Sequence, residues 1–127
     1  MKTLQKYIKC LLPTFILCWV ANGVFAQKET EVFIPIGQSP GVSHKYSVIG
    51  TVEKVNAGDS TITLKGDSGI KSIRVTPCRQ FYLDQSNLKL PNRRCSFSEI
   101  QPGCLVEIKY RDNRPGNLID WVKVRRE

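Results

Sequence analysis

The sequence predicts an all-β fold: a small antiparallel barrel of five or six strands, with one short helical turn and an extended N-terminal arm. Short segments that alternate apolar and polar residues recur from residue 46 onwards, which is the pattern of half-buried strands. Turn sequences rich in glycine, asparagine and aspartate separate these segments. The chain has 127 residues, enough for one domain, and this length excludes a multidomain enzyme or a repeat array.

The first three strands are predicted to form an antiparallel meander joined by short turns. They are residues 46–55 (YSVIGTVEKV), 61–65 (TITLK) and 71–75 (KSIRV). In the second strand Ile62 and Leu64 are expected to face inward. The residues expected to face outward are Thr61, Thr63 and Lys65. Gly50 interrupts the first strand, which predicts a bulge or a tight bend there.

The second half of the domain is predicted to contain a short strand, a polar loop, a helical turn and a closing hairpin. The strands are residues 80–83 (QFYL), 105–110 (LVEIKY) and 118–124 (LIDWVKV), and the loop is 84–94. Ser96 and Glu99 have the spacing of a capping box, which predicts a helical turn that begins there. In the strand at 105–110, alternation places Glu107 and Lys109 on the side opposite the core.

Three segments carry a resemblance to a known fold. They are GTVEKV at 50–55, FSEIQPG at 97–103 followed by LVEIKY, and DWVKV at 120–124. On these segments, residues 50–124 resemble small exported bacterial modules with an OB-like fold. The resemblance implies a five- to six-stranded OB-like barrel and no particular activity. The helical turn is shorter than the helix that plugs a full OB barrel, so an open or distorted barrel is the alternative.

Residues 1–26 have the layout of a secretory signal peptide. Lysines at positions 2, 6 and 9 precede an apolar run at 10–20, and Val24 and Ala26 suit a signal peptidase that cuts before Gln27. The apolar run is much shorter than the about 20 residues that span a membrane. We therefore expect a secreted protein, located in the bacterial periplasm, with an arm at 27–45, a barrel domain at 46–127 and no transmembrane segment after cleavage.

Three cysteines remain once the signal peptide is removed: Cys78, Cys95 and Cys104. An oxidising compartment favours one disulfide among them. We expect the bond between Cys78 and Cys95, because it would restrain the long polar loop and contribute roughly 3 kcal/mol. A bond between Cys95 and Cys104, or three reduced thiols, are the alternatives.

The sequence predicts no catalytic activity and no cofactor. His44 is the only histidine, and it lies in the arm beside Lys45, away from any nucleophile that would need a base. No CxxC motif and no Cys/His pair has the spacing of a zinc site.

Without the three lysines of the predicted signal peptide, the net charge falls from +8 to +5, and this charge together with several aromatic residues favours a binding function. Small barrels bind ligands with aromatic platforms and basic grooves. The candidate binding residues are Tyr82, Arg93, Arg94, Arg111, Arg114, Trp121 and Lys123. The alternative is that Tyr110 and Trp121 pack the barrel while the basic residues only solvate strand edges.

The predicted function is an exported, non-catalytic binding module of the bacterial envelope, for an anionic ligand or surface. Oligonucleotide or saccharide binding is a further hypothesis, although export and the modest charge argue against nucleic acid. An assembly role for the arm is the other alternative. Its VFIPIG segment at 32–37 is expected to fold back over an open edge or mouth of the barrel through Phe33, Ile34 and Ile36. Donation of this segment to the sheet edge of a partner protein is the competing interpretation.

Mass spectrometry of the protein secreted by its host tests the predicted export. The expected N-terminal residue is Gln27, because the sequence just before it suits signal peptidase. An intact Met1 or a lipid attached to cysteine would contradict the prediction.

Overall fold

Seven β-strands in one sheet make up the fold. The computed structural model describes residues 32–75, 78, 80–111 and 118–127. The strands are β1 (Ser47–Asn56), β2 (Thr61–Gly66), β3 (Gly69–Arg74), β4 (Phe81–Leu83), β5 (Arg93–Cys95), β6 (Leu105–Tyr110) and β7 (Ile119–Arg125). The all-β prediction is confirmed. The predicted signal peptide, arm residues 27–31 and Arg114 lie outside the described residues. Within the described part, no helix is long and apolar enough to cross a membrane.

The strand order is β3-β2-β1-β6-β7-β4-β5, and β4 pairs with β7 in parallel while all other neighbours are antiparallel. The end strands β3 and β5 are not paired with each other, so the sheet is not closed. The predicted barrel does not close, and the predictions of five or six strands and of antiparallel pairing throughout are wrong. The additional strand is β5, which forms at the end of the predicted polar loop, where Arg93 and Arg94 pair with Leu83 and Tyr82.

One face of the sheet forms the hydrophobic core. Its central residues, Ile62, Val106 and Val122, come from three different strands and are fully buried in one cluster. No helix in the described residues covers this face. A sheet that buries one face without a second layer has to curl around that face, so the inner surface of the curled sheet is the core.

A short segment before β6 helps to close one end of this core. The predicted helical turn is a 3-10 turn over Phe97–Glu99, and Phe97 packs edge-on against Phe81 with ring centroids 6.3 Å apart. The predicted capping box does not form, because Ser96 makes no capping bond and its hydroxyl lies 2.6 Å from that of Ser98. Glu99 instead pairs with Arg126.

Two glycines allow β1 and β2 to approach closely. A Cβ atom at Gly66 would lie 2.6 Å from the carbonyl oxygen of Ile49, and one at Gly50 would lie 2.9 Å from that of Lys65. The register between β1 and β2 shifts between Val52 and Lys54. The bulge or bend predicted at Gly50 does not lie at that residue: the bulge follows Val52, and Gly50 instead serves the close approach.

Replacing Gly66 with alanine tests this close approach. Gly66→Ala is expected to lower the free energy of unfolding by about 1–3 kcal/mol, because the new methyl group meets backbone that has to shift. Urea denaturation measures the change. Gly58→Ala is the matched control, since its nearest neighbour is a movable side-chain oxygen of Asn56 at 3.3 Å. Equal effects of the two substitutions would contradict the prediction.

Candidate functional site

The arm folds back onto its own sheet and covers part of the outer face, the face opposite the core. Val32 and Val42 of the arm form a second buried cluster with Tyr82 of β4 and Trp121 of β7. Ile36 is buried as well, whereas Phe33 is 59% exposed. The expected folding back is therefore observed, but it covers a sheet face instead of an edge or a mouth, and Phe33 takes no buried place in it.

Two side chains of the sheet region donate hydrogen bonds to carbonyl oxygens of the arm. The ammonium group of Lys123 lies 2.8 Å from the carbonyl oxygen of Ile34 and 3.2 Å from the hydroxyl of Ser39. The amide of Asn92 donates to the carbonyl oxygens of Val32 and Ile34, at 3.1 and 3.4 Å. These donors hold an irregular segment that has no strand neighbours of its own.

Two carboxylates accept hydrogen bonds from the arm, and one of them also accepts from Ser47, the first residue of β1. Glu107 accepts from the hydroxyls of Ser43 and Ser47, at 2.6 and 2.7 Å, and from the backbone N–H of Gly37 at 3.2 Å. Asp84 accepts from the backbone N–H of Ile36 at 2.9 Å. Both carboxylates are buried, so these hydrogen bonds replace the water that the charges have lost.

The environment of Asp84 keeps it ionised. Burial by itself would raise the pKa of Asp84, but the N–H of Ile36, hydrogen bonds from Ser86 and the charge of Arg125 outweigh burial. The net effect lowers the pKa. The carboxylate oxygen lies 3.7 Å from the guanidinium group of Arg125.

The predicted binding residues lie in different environments. Tyr82, Trp121 and Lys123 are buried beneath the arm, so a ligand would reach them only if the arm moved. Arg94 is aligned with Tyr82 across β4 and β5, and Lys123 is aligned with Tyr82 across β4 and β7. The remaining described candidates, Arg93 and Arg111, are exposed.

Trp121 combines two features that concern the arm. Its indole N–H is buried and has no hydrogen-bond partner among the described residues. The ammonium group of Lys123 lies 4.2 Å from the centre of its ring, a cation–π distance. Trp121 is the only tryptophan outside the predicted signal peptide, so its fluorescence reports on the arm.

The outer face of β1, β2 and β3 bears cations and hydroxyl groups. Strand pairing aligns this face, which we call the cationic face, in three rows. They are Thr51–Lys65–Ile70, Lys54–Thr63–Ser72 and Asn56–Thr61–Arg74. Lys54, Lys65 and Arg74 are exposed and make no ion pair within the described part of the chain. None of the aligned positions is a carboxylate, but the exposed Glu53 lies in the bulge beside Lys54.

A cavity of about 430 Å³ opens at one end of the cationic face. Thr51 and Lys65 belong to its lining, together with His44 of the arm and Asp67 of the turn after β2. Ile49 and Leu105 supply its apolar wall. The volume is in the range of small-molecule sites.

The described cysteines are free thiols and lie at one core. Cys104 belongs to the core cluster, and Cys78 and Cys95 pack against it. Burial, with a smaller contribution from Glu99, raises the pKa of Cys95 to about 11, and burial raises the pKa of Cys78. Because the thiolate is the nucleophilic form, neither thiol is activated for catalysis. The Cys78–Cys95 disulfide stays a prediction.

The described residues contain no cluster of three or more histidine, cysteine or acidic side chains that would hold a metal ion. Comparison with protein-family models, with curated proteins and with solved structures finds no match. The chemistry of these surfaces is therefore the only basis for assigning a function.

Sequence reasoning did not select Lys54, Lys65 and Arg74 as binding residues. The alternation in β2 correctly predicted that Lys65 faces outward. The alignment of Lys54 and Arg74 with it depends on the register shift in β1 and on the pairing of β3, which the alternation does not specify.

Asp84→Asn tests whether this carboxylate holds the arm. Because the folded pKa is lowered, the stability that the charge contributes is complete above the unfolded value of about 3.9 and is lost as the pH falls through the folded value. The substitution is expected to lower the free energy of unfolding by about 1–2 kcal/mol at neutral pH and by less in acid. Urea denaturation followed by Trp121 fluorescence measures both.

The control for this measurement is Glu127→Gln. Glu127 also pairs with Arg125, but it is solvent-exposed, so an effect within about 0.5 kcal/mol is expected. A pH-independent effect of Asp84→Asn would contradict a role for its charge.

Proposed function

We propose that the protein is an exported, non-catalytic binding module that holds an anionic ligand on the cationic face. The observation that carries the proposal is the alignment of Lys54, Lys65 and Arg74 in successive rows of an exposed sheet face, where the bulge residue Glu53 is the only acidic residue of the three strands. Export is inferred from the signal-peptide pattern of residues 1–26. An acidic polymer of the bacterial envelope is the ligand class that fits both inferences.

The spacing of the charges favours an extended anion. Successive rows of a sheet lie about 7 Å apart, because they are two residues apart along each strand. Lys65, Lys54 and Arg74 occupy successive rows, so a polymer that bears repeated negative groups would meet one cation in each row. The hydroxyls of Thr61, Thr63 and Ser72 stand between the cations as hydrogen-bond donors.

The distribution of the acidic residues supports this choice of surface. The described carboxylates that make ion pairs or buried hydrogen bonds are Asp84, Glu99, Glu107, Asp120 and Glu127. Asp59 accepts a turn hydrogen bond from the N–H of Thr61. Glu53 and Asp67 are exposed and make none of these contacts, but the exposed lysines and arginines without an ion pair in the described residues outnumber them. The surface potential is therefore positive and attracts anions from a distance.

The topology supports an interpretation of the sheet as an opened OB-like barrel. The meander β1–β2–β3, the pairing of β6 with β1 and the β6–β7 hairpin follow that arrangement. In this interpretation β3 and β4 are two parts of one interrupted strand, and the second part pairs in parallel with the last strand. OB-like folds bind oligosaccharides and oligonucleotides on the face of their second and third strands, which here belongs to the cationic face.

The alternative assembly role of the arm has less support. The polar contacts of the arm are made with Asp84, Asn92, Glu107 and Lys123 of the same chain. Donation to a partner would require all of them to break.

Binding of dextran sulfate to the purified protein tests the proposal. The affinity is expected to fall steeply with added salt and to drop at least about tenfold in the triple variant Lys54→Ala/Lys65→Ala/Arg74→Ala, since each lost cation weakens a polyanion contact. Titration calorimetry over a salt series measures both effects.

The matched control removes the same charge from another surface: Lys89→Ala/Arg93→Ala/Arg94→Ala. It is expected to retain most of the affinity. Equal losses in the two triple variants would show that only net charge matters, and absence of binding by the unaltered protein would refute the proposal.

A further inference from the structure

The loop between β4 and β5 exposes two leucines. Leu88 is 64% exposed and Leu90 is 51% exposed. Backbone hydrogen bonds fix the loop, because the N–H groups of Leu88 and Leu90 both donate to the carbonyl oxygen of Gln85, at 2.9 and 3.2 Å. Lys89 between them adopts a left-handed backbone conformation with φ of 56°. Large apolar side chains are thus held in water by an ordered turn.

A third exposed apolar side chain lies close to the end of this loop. Phe33 is 59% exposed, and the carbonyl oxygens of its neighbours Val32 and Ile34 both accept hydrogen bonds from the amide of Asn92. Asn92 is two residues from Leu90, so the arm brings Phe33 to the same part of the surface. Single exposed apolar residues are common, but a group of them marks a contact surface.

Exposed cations accompany these apolar residues. Lys89, Arg93 and Arg94 make no ion pair within the described residues. The acids that the fold brings near the loop are engaged elsewhere: Asp84 with the arm and Glu127 with Arg125. The loop surface, defined here as Phe33 and residues 88–94, therefore combines apolar and positive groups.

We propose that the loop surface docks onto an anionic lipid membrane. Leu88, Leu90 and Phe33 would enter the headgroup region, while Lys89 and Arg94 bind lipid phosphates. Apolar insertion and attraction of basic residues to anionic lipids together give reversible binding at a membrane surface. Interleaved leucines and cations suit a lipid interface, which offers phosphates above acyl chains.

This proposal is independent of the proposed function, because it uses none of the residues of the cationic face. If both hold, the protein would rest on a membrane through one surface and retain an anionic polymer on another. Leu88 and Leu90 are already exposed, so this docking requires no movement of the loop relative to the sheet.

Co-sedimentation of the purified protein with lipid vesicles tests the proposal. Binding is expected to vesicles of phosphatidylcholine mixed with phosphatidylglycerol and to be much weaker for phosphatidylcholine alone. Lys89→Ala/Arg94→Ala is expected to reduce partitioning about fivefold for each cation removed. Leu88→Ser/Leu90→Ser is expected to reduce it by a similar factor, because the inserted apolar groups are lost.

Two controls separate docking from general effects. Leu118→Ser removes another half-exposed leucine and is expected to leave partitioning unchanged. Lys54→Ala/Lys65→Ala removes two cations from the cationic face and is expected to weaken dextran sulfate binding but not the vesicle binding. Thermal unfolding verifies that each variant is folded.

Three outcomes would overturn the proposal. They are absence of binding to the anionic vesicles, equal binding to both vesicle types, and unchanged partitioning of Leu88→Ser/Leu90→Ser. If Leu88→Ser/Leu90→Ser partitions unchanged, an acidic protein would fit the loop surface better than a membrane does. None of these outcomes changes the dextran sulfate result, so failure of either proposal is recognised separately.

Discussion

The burial of Glu107 and Lys123 beneath the arm is the constraint on which the rest of the structure depends. These residues are aligned across β6 and β7, and both are fully buried on the outer face. A buried charge is costly unless hydrogen bonds replace its water. Ser43 and Gly37 of the arm provide them for Glu107, and the carbonyl oxygen of Ile34 does so for Lys123. The arm is therefore an integral part of the fold.

The strands were predictable where one face alone is buried. Alternation in β2 and β6 identified their inner residues, because half-buried strands repeat every two residues. It failed for β5, since Arg93 and Arg94 lie on an edge strand that has no apolar pattern and is defined by backbone pairing with β4. Alternation correctly placed Glu107 on the side opposite the core, but it did not indicate that the arm buries Glu107 there, because the arm is irregular and has no periodic pattern.

The candidate site was predictable only in its chemistry. The excess of positive charge indicated basic surfaces. Which basic residues share a face depends on strand register, because a shift of one residue moves every side chain of a strand to the opposite face. The bulge after Val52 aligns Lys54 with Thr63 and thereby adds it to the row beside Lys65. Tyr82 and Trp121 were expected as ligand platforms, and their rings instead pack against Val32 and Val42.

The two halves of the outer face follow from where the acids are used. Over β6, β7 and β4 the arm needs Glu107 and Asp84 as acceptors for its N–H and hydroxyl groups. Over β1, β2 and β3 no described segment covers the aligned outer positions, and none of these positions is acidic. A chain with more basic than acidic residues that places most of its described carboxylates in contacts, with Glu53 and Asp67 as the exceptions, presents an excess of cations to solvent. The same arrangement that fixes the arm therefore leaves the open half of the sheet with a positive surface.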